Sequence, residues 1–195
     1  PQAPTFRDLA AVTDEIRAAV KPIKVPSVLA APHPIVARLL AQDAKRKPSP
    51  SVSHYFPDRN GPKFQTPIQQ RRLRILSCIL TELDRLGCKA NGNTHAGERF
   101  SISVGGFWVY IFLGIEGGQW PSYFHNGARS YKQPDRERLR FDLVDHDDRS
   151  PPKRTWREDS DPLERQATEI VRELLVYTET ETRKWALLSH KWALE

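Results

Sequence analysis

Two apolar segments meet at the pair Gly105-Gly106 in the middle of the chain. Before this pair, Phe100, Ile102 and Val104 alternate with polar residues, as in a strand with one solvated face. After it, residues 107–113 are apolar at every position, which predicts a central strand that is covered on both faces. Because two glycines readily adopt the positive φ angles of a two-residue turn, the sequence predicts a β-hairpin here.

Further strands are predicted on both sides of this hairpin. Residues 88–95 have the composition of a strand, and residues 136–144 alternate strictly between apolar and polar positions. A solvated outer face predicts that this last strand lies near the sheet edge. Residues 119–136 predict a long surface excursion. The alternation directs three side chains inwards (Leu139, Phe141, Leu143) and three outwards (Arg138, Arg140, Asp142).

Two short helices are predicted near the N-terminus. Thr5 and Asp8 have the spacing of a capping box before a run of apolar residues at helical spacing. Pro34 suits the first turn of a second helix that carries the apolar residues of segment 35–40. Prolines between these two helices predict a connector without regular structure.

Two longer helices are predicted around the sheet. Thr66-Pro67 followed by Gln69 has the pattern of a helix start, and apolar residues then line one face of helix 67–86. Asp161-Pro162 followed by Glu164 repeats this pattern. The helix that it opens extends to about Trp192, which makes it on the order of 45 Å long.

These elements predict an α+β fold. An antiparallel sheet of about four or five strands is built around the Gly-Gly hairpin and packed by helix 67–86 and the long C-terminal helix. Residues 1–47 are predicted to form a helical N-terminal arm. Residues 48–65, with prolines and serines, predict a linker, and residues 66–195 the α+β domain.

Composition narrows the class of protein. The chain has 195 residues, and 30 Lys and Arg against 24 Asp and Glu give a net charge of +6, which favours polyanionic partners. The apolar runs are too short to span a membrane, so we expect a soluble, cytoplasmic protein without a membrane partner. Cys78 and Cys88 predict two reduced thiols. The chain starts at Pro1 and contains no Met, which favours a fragment of a longer protein.

Enzymatic motifs are absent from the sequence. It contains no Gly-x-Ser-x-Gly elbow and no phosphate-binding or dinucleotide-binding glycine loop, and it predicts no cofactor. Residues 145–148 (Asp-His-Asp-Asp) offer metal ligands, but their position fits an ordinary charged turn. A metal-dependent nuclease stays open as an alternative, although the chain lacks a Glu-x-Lys motif. The metal-binding carboxylates of such a nuclease would be those of Glu82, Glu98, Glu116 and Asp142.

Basic clusters are the main candidate for function. If they converge on one surface, they form a phosphate-binding face, with Tyr123, Tyr131 or Trp156 available for base stacking. If they scatter, they are solubilising charge. Arginines in the first turns of helix 67–86 oppose the helix dipole, which fits either an anionic partner or an ordinary solvated face of the helix. The candidate nucleic-acid contacts are Arg71, Arg72, Arg74, Arg138, Arg140, Lys153 and Arg154.

The C-terminal helix offers a different surface. Trp185, Leu188 and Trp192 recur along its second half at a spacing that places them on one face. This apolar stripe predicts a contact with a protein partner or with a second copy of the chain.

Several segments together resemble a loosely defined group of uncharacterised bacterial proteins, often encoded on mobile elements. In that group a helix-turn-helix typically precedes the region that this chain resembles. The resemblance implies a non-enzymatic DNA-associated module of a regulatory or mobile-element protein, which contacts phosphates or assembles a separate DNA-reading domain. Its alternative is an interaction or dimerisation domain without a nucleic-acid role. The resemblance rests on residues 33–40, 71–87, 99–104, 138–143 and 163–166 and on Trp156.

Overall fold

The computed structural model describes residues 2–47, 61–91, 99–116, 138–144 and 151–194. Within these residues, four helices accompany one five-stranded antiparallel sheet, so the predicted α+β fold is confirmed. The helices are α1 (Leu9–Ala19), α2 (Pro34–Asp43), α3 (Pro67–Arg85) and α4 (Leu163–Trp192). The strands are β1 (Lys89–Asn91), β2 (Arg99–Val104), β3 (Phe107–Ile115), β4 (Leu139–Val144) and β5 (Arg154–Arg157).

The sheet is a meander in which strand order follows chain order from β1 to β5. The predicted hairpin joins β2 to β3, and Gly105 and Gly106 adopt φ angles of 57° and 88° in its turn. Since β3 lies between β2 and β4, its predicted central position is confirmed. The predicted strand 136–144 corresponds to β4, which is next to the edge because β5 pairs with its outer side.

One face of the sheet is covered by α3 and α4, and this layer holds the core. The predicted inward side chains of β4 are completely buried there, and Phe141 contacts Trp156 edge to face with ring centroids 5.7 Å apart. Burial of these apolar side chains is the main source of stability for such a layer. Other buried members of the core include Leu73, Leu76, Ile111, Leu113, Ile170 and Leu174.

The structure confirms some of the predicted helix caps but not all of them. Thr66 caps α3 as predicted, since its hydroxyl accepts the N–H of Gln69 at 3.4 Å. The capping box predicted from Thr5 is wrong: Asp8 is itself the cap and accepts the N–H of Ala11 at 2.9 Å. A short polar side chain directly before the first helical residue satisfies an N–H that lacks a partner within the helix.

The start of α4 also differs from the predicted pattern. No side chain of the Asp161-Pro162 segment caps this helix. Glu158, at the end of β5, accepts the N–H of Leu163 at 2.9 Å. A carboxylate at this end is favourable because the helix dipole is positive there. The side chain that accepts this N–H therefore belongs to Glu158, directly after β5, and not to Asp161.

The N-terminal segment packs against the helical layer. The backbone N–H of Ile23 donates to Thr168 of α4 at 2.9 Å, and that of His33 donates to Ser77 of α3 at 2.8 Å. The buried Asp43 accepts the N–H groups of Lys63 and Phe64, which lie beyond residues 48–60 in the chain. These contacts hold both ends of the predicted linker close together. No described helix is both long enough and apolar enough to cross a bilayer.

Candidate nucleic-acid interface

The predicted arginines of α3 are engaged inside the molecule. Arg71 binds two carboxylates at once: its Nε lies 2.6 Å from Glu164, and its Nη1 lies 3.0 Å from Glu158. Glu158 also accepts the N–H of Leu139 at 2.8 Å. Burial raises the pKa of Glu158, but Arg71 and the two backbone N–H groups outweigh burial and leave this pKa below its ordinary value. Arg71 therefore joins α3 to β4, β5 and the start of α4.

Arg72 is even less accessible than Arg71. Only 1% of its surface is exposed, and its guanidinium donates to the carbonyl of Leu113 at 3.3 Å. The same guanidinium lies over the ring of Phe64, 5.5 Å from its centroid. Arg74 is half-buried on the same helix. These side chains lie in or beside the helical layer.

The remaining predicted contacts are divided between the two faces of the sheet. Arg154 forms an ion pair with Glu173 of α4, on the helical side. Arg138 lies 3.6 Å from Asp159. Arg140 follows Arg138 by two residues, so both arginines lie on the other face of the sheet, away from α3 and α4. Lys153 is exposed directly before β5. The seven predicted residues therefore do not share one surface.

The face of the sheet that carries no described helix presents a different set of residues, which the strand register arranges in rows. We call it the helix-free face, a name that refers to the described residues alone. In the first row, Lys89, Ser103 and Trp108 are direct cross-strand neighbours on β1, β2 and β3. In the second row, Ser101 lies between Asn91 and Tyr110. The third and fourth rows contain Arg99, Phe112, Asp142 and Thr155, followed by Gly114, Arg140 and Arg157.

Trp108 is the most exposed aromatic side chain of these rows. It is 49% exposed, and Lys89 in the same row is exposed as well. The prediction that β3 is covered on both faces is therefore wrong at this position. Only the other face meets α3 and α4, and the hairpin end of β3 projects its alternate side chains away from them. Trp108 and Tyr110 lie about 7 Å apart along the strand, the distance spanned by two residues.

Arginines stack on the aromatic rings of this face. The guanidinium of Arg99 lies over Tyr110, 5.1 Å from the ring centroid, and that of Arg140 lies over Phe112 at 5.9 Å. The ring of Phe112 rests on Gly114, where a Cβ atom would come within 2.5 Å of it. Such cation–π contacts hold the guanidinium groups of Arg99 and Arg140 against aromatic rings on this face.

Asp142 lies in the buried part of this face. Its Oδ1 accepts the hydroxyl of Thr155 at 2.8 Å, and its Oδ2 lies 2.8 Å from Nε of Arg140. Burial raises the pKa of Asp142 above its ordinary value, although Thr155 and Arg140 oppose this shift. The open part of the face therefore lies towards β1, around Lys89, Asn91 and Trp108.

Four residues of this site were not among the sequence candidates: Lys89, Arg99, Trp108 and Tyr110. The alternation of core-facing and outward-facing positions along β2 and β3 indicates the face of the sheet on which these residues lie. Phe100 and Ile102 face the core, so Arg99 and Ser101 must face away from it, and pairing across Gly105-Gly106 aligns Trp108 with the same face.

The carboxylates of the nuclease alternative are not assembled in the described part of the chain. Glu82 lies on α3 and binds Arg85, whereas Asp142 lies on the helix-free face of the sheet. Glu116 lies 3.7 Å from Arg157. No group of three or more His, Cys, Asp or Glu side chains among the described residues is placed to hold a metal ion. Glu98, residues 145–148, Tyr123 and Tyr131 lie outside the described residues.

Comparison with known proteins adds no relative. No protein-family model matches the chain, and neither the curated proteins nor the solved structures contain a match.

Proposed function

We propose that this chain is a non-enzymatic DNA-associated module that binds an extended single strand on the helix-free face of its sheet. The observation that carries this proposal is the first row of that face, where Lys89 and the half-exposed Trp108 flank Ser103. An exposed aromatic ring offers a stacking surface to any base, and a neighbouring ammonium group offers a charge to the phosphate that follows it.

The second row extends the same chemistry. Tyr110 lies two residues from Trp108 on β3, and Arg99 stacks on its ring. Two rings about 7 Å apart suit two successive bases of an extended strand. The guanidinium of Arg99 adds positive charge beside this ring, where a phosphate of the bound strand would lie. The net charge of +6 adds a general attraction for polyanions.

Only some of the arginines that the sequence predicted as nucleic-acid contacts belong to this proposal. Arg71, Arg72 and Arg154 already bind carboxylates or a carbonyl on the helical side, so we assign them a structural role. Arg138 and Arg140 stay in the proposal because they belong to the helix-free face. A bacterial regulatory or mobile-element protein, with a separate domain that reads DNA sequence, is the context in which we propose that this module acts.

The first test is fluorescence anisotropy of a labelled oligothymidylate of roughly ten nucleotides, a length within the range of single-strand binding sites. A duplex of the same length is compared at several salt concentrations, with and without magnesium. We expect preferential binding of the single strand that weakens steeply with salt. Absence of binding at low salt would overturn the proposal. Magnesium-dependent cleavage of the probe would replace it with the nuclease alternative.

Two tryptophan variants provide a matched comparison. Trp108→Ala should weaken binding roughly 5- to 150-fold, since stacking on one base contributes about 1–3 kcal/mol. Trp185→Ala is the control, because Trp185 is 47% exposed and lies near the end of α4. Equal binding by wild type and Trp108→Ala would contradict the proposal. Replacing Lys89 and Arg99 by Gln should weaken binding and flatten its salt dependence.

A further inference from the structure

Helix α1 is attached to the protein less firmly than the helix that follows it. None of the eleven side chains of α1 is buried, and Ile16 is half-buried at the margin of the core. Helix α2 is one residue shorter but buries Ile35, Val36, Leu39 and Asp43. Because packing of one face supplies most of the stability of a short helix, α1 gains much less from the body of the protein than α2 does.

Two side chains of α4 contact the two ends of the α1 segment. Arg183 donates from Nη1 to the carbonyl of Arg7 at 2.7 Å, and its guanidinium lies over the ring of Phe6, 5.4 Å from the centroid. At the other end of α1, Arg17 lies 3.8 Å from Glu173. Helix α1 therefore lies antiparallel to α4, along the side of α4 between residues 173 and 183.

The contact at Arg183 is the stronger of the two. The Nε atom of Arg183 donates to Glu179 of the same helix at 2.7 Å, which holds the guanidinium in place, and the Arg183 side chain is only 14% exposed. Glu173, in contrast, also forms an ion pair with Arg154 of β5. Arg17 is half-exposed, and an exposed ion pair of this kind contributes little to stability. Arg183 is therefore the main residue that holds α1 on α4.

The chain directly after α1 is fixed much more firmly. Val20 is 2% exposed, and the backbone N–H of Lys21 donates to the carboxylate of Glu82 at 2.7 Å. The side chain of Arg85 donates to the carbonyl of Ala19 at 2.6 Å. A movement of α1 would therefore turn about residues 19–21, which α3 holds in place.

We propose that residues 6–19 form a strap that opens and closes on α4 about residues 19–21, with Arg183 as the residue that holds it closed. A helix as short as α1 has little stability by itself, so the strap unfolds when it opens. Opening exposes the side of α4 between residues 173 and 183, whereas α3 and the sheet keep their structure. Such local openings need much less free energy than unfolding of the whole domain.

The strap contacts a different part of α4 from the predicted interaction stripe. Trp185 and Trp192 are 47% and 58% exposed, and their rings meet edge to face with centroids 6.2 Å apart. Leu188 is half-buried. A contact of this stripe with another protein stays a prediction. The strap is also independent of nucleic-acid binding, because the helix-free face of the sheet takes no part in it.

The first test is hydrogen exchange of the full chain, measured by NMR and expressed as protection factors. It compares amides 12–19 of α1 with amides 37–43 of α2, since both sets begin with an N–H that donates to the carbonyl four residues earlier. We expect the amides of α1 to be protected about tenfold less, or weaker still, than those of α2. Equal protection of the two helices would overturn the proposal.

Two variants at adjacent positions test the role of Arg183. Arg183→Ala should lower the protection of amides 12–19 about tenfold or more, because it removes a charge-assisted hydrogen bond and a cation–π contact. Lys184→Ala is the matched control and should leave α1 unchanged, since Lys184 is 63% exposed and pairs with Glu181 of its own helix. The amides of α3 should be protected equally in all three proteins.

Three results of this comparison would overturn the proposal. Unchanged protection of α1 in Arg183→Ala would show that Arg183 does not hold the strap. An equal loss in Lys184→Ala would show that the effect comes from the charge of α4 and not from the contact with residues 6 and 7. A loss that extends equally to α3 would show that α1 opens only when the whole domain unfolds.

Discussion

The two faces of the sheet are built from the same strands and differ most clearly near the β2–β3 hairpin. On the face covered by α3 and α4, Phe100, Ile111 and Phe141 are fully or almost fully buried. On the other face, Trp108 is half exposed and Arg99 stacks on a tyrosine. Since alternate residues of a strand point to opposite faces, one substitution can change stability and its neighbour can change binding. The comparison teaches that the two properties can be separated residue by residue.

The largest expected effect comes from the covered face. Phe141→Ala should lower the free energy of unfolding by about 3–5 kcal/mol, because it removes a buried ring and leaves a cavity beside Trp156. Urea denaturation followed by circular dichroism measures this change. Tyr110→Ala on the other face should cost about 1 kcal/mol or less, since its ring is only half-buried. Similar losses for both variants would break the distinction between the faces.

Arg71 provides the next test. Arg71→Met should lower the free energy of unfolding by about 2–3 kcal/mol, since it leaves the buried carboxylate of Glu158 without its cation. Binding of the oligonucleotide per folded molecule should not change. A variant that folds with wild-type stability but loses binding would return Arg71 to the nucleic-acid interface.

Arg71→Met should also differ from wild type in how its stability depends on pH. The pKa of Glu158 is lower in the folded protein than its ordinary value, so its contribution to stability is present above that ordinary value. The contribution is lost as the pH falls through the ordinary value towards the folded one. Wild type should therefore lose more stability on acidification than Arg71→Met does. Parallel acid profiles for the two proteins would contradict this role of the ion pair.

Cys88 tests the covered face at alkaline pH. Burial raises the pKa of its thiol to about 11, from an ordinary value near 9. A pKa raised by folding gives stability that is complete below the ordinary value and declines as the pH rises towards the folded one. Wild type should lose up to about 2 kcal/mol relative to Cys88→Ala between these values. A difference between the two proteins that does not vary with pH would show that Cys88 is not protected by burial.

The smallest expected effect concerns the turn that aligns both faces. Gly106→Ala should cost about 1 kcal/mol, because alanine is strained at a φ of 88°. Gly105→Asn is the control, since asparagine tolerates the left-handed conformation at a φ of 57°. Thermal unfolding compares the two variants. Equal midpoints would indicate that the turn does not determine the hairpin register.

Periodic patterns in the sequence identified much of this fold. The alternation of Leu139, Phe141 and Leu143 gave the correct inner face of β4, and Thr66 gave the correct start of α3. In contrast, the sequence pattern did not predict β5. This edge strand has four mostly polar residues and almost no periodic signal, and it is held by pairing with β4.

The candidate site was less predictable because it depends on partners that are distant in the chain. Arg71 meets Glu158 and Glu164 only after α3 and α4 pack together. Arg72 carried a local signal, since it lies four residues from both Ile68 and Leu76 and so belongs to the apolar stripe of α3. For Trp108, the alternation of β2 and β3 indicates the face of the sheet on which its side chain lies. The exposure of that side chain has no local signal, because it depends on which face of the finished sheet the helices cover.

The meander order of the sheet has a consequence for how the chain acquires its structure during synthesis. Every strand pairs with the strand before it, so the sheet is assembled from contacts between segments that follow one another on the nascent chain. Helix α4 follows these strands in the chain, and it covers much of the apolar face formed by β3, β4 and β5. Until α4 has been synthesised, that face is open to water and to aggregation, which makes the interval between the synthesis of β5 and that of α4 a vulnerable stage in the assembly of this sheet.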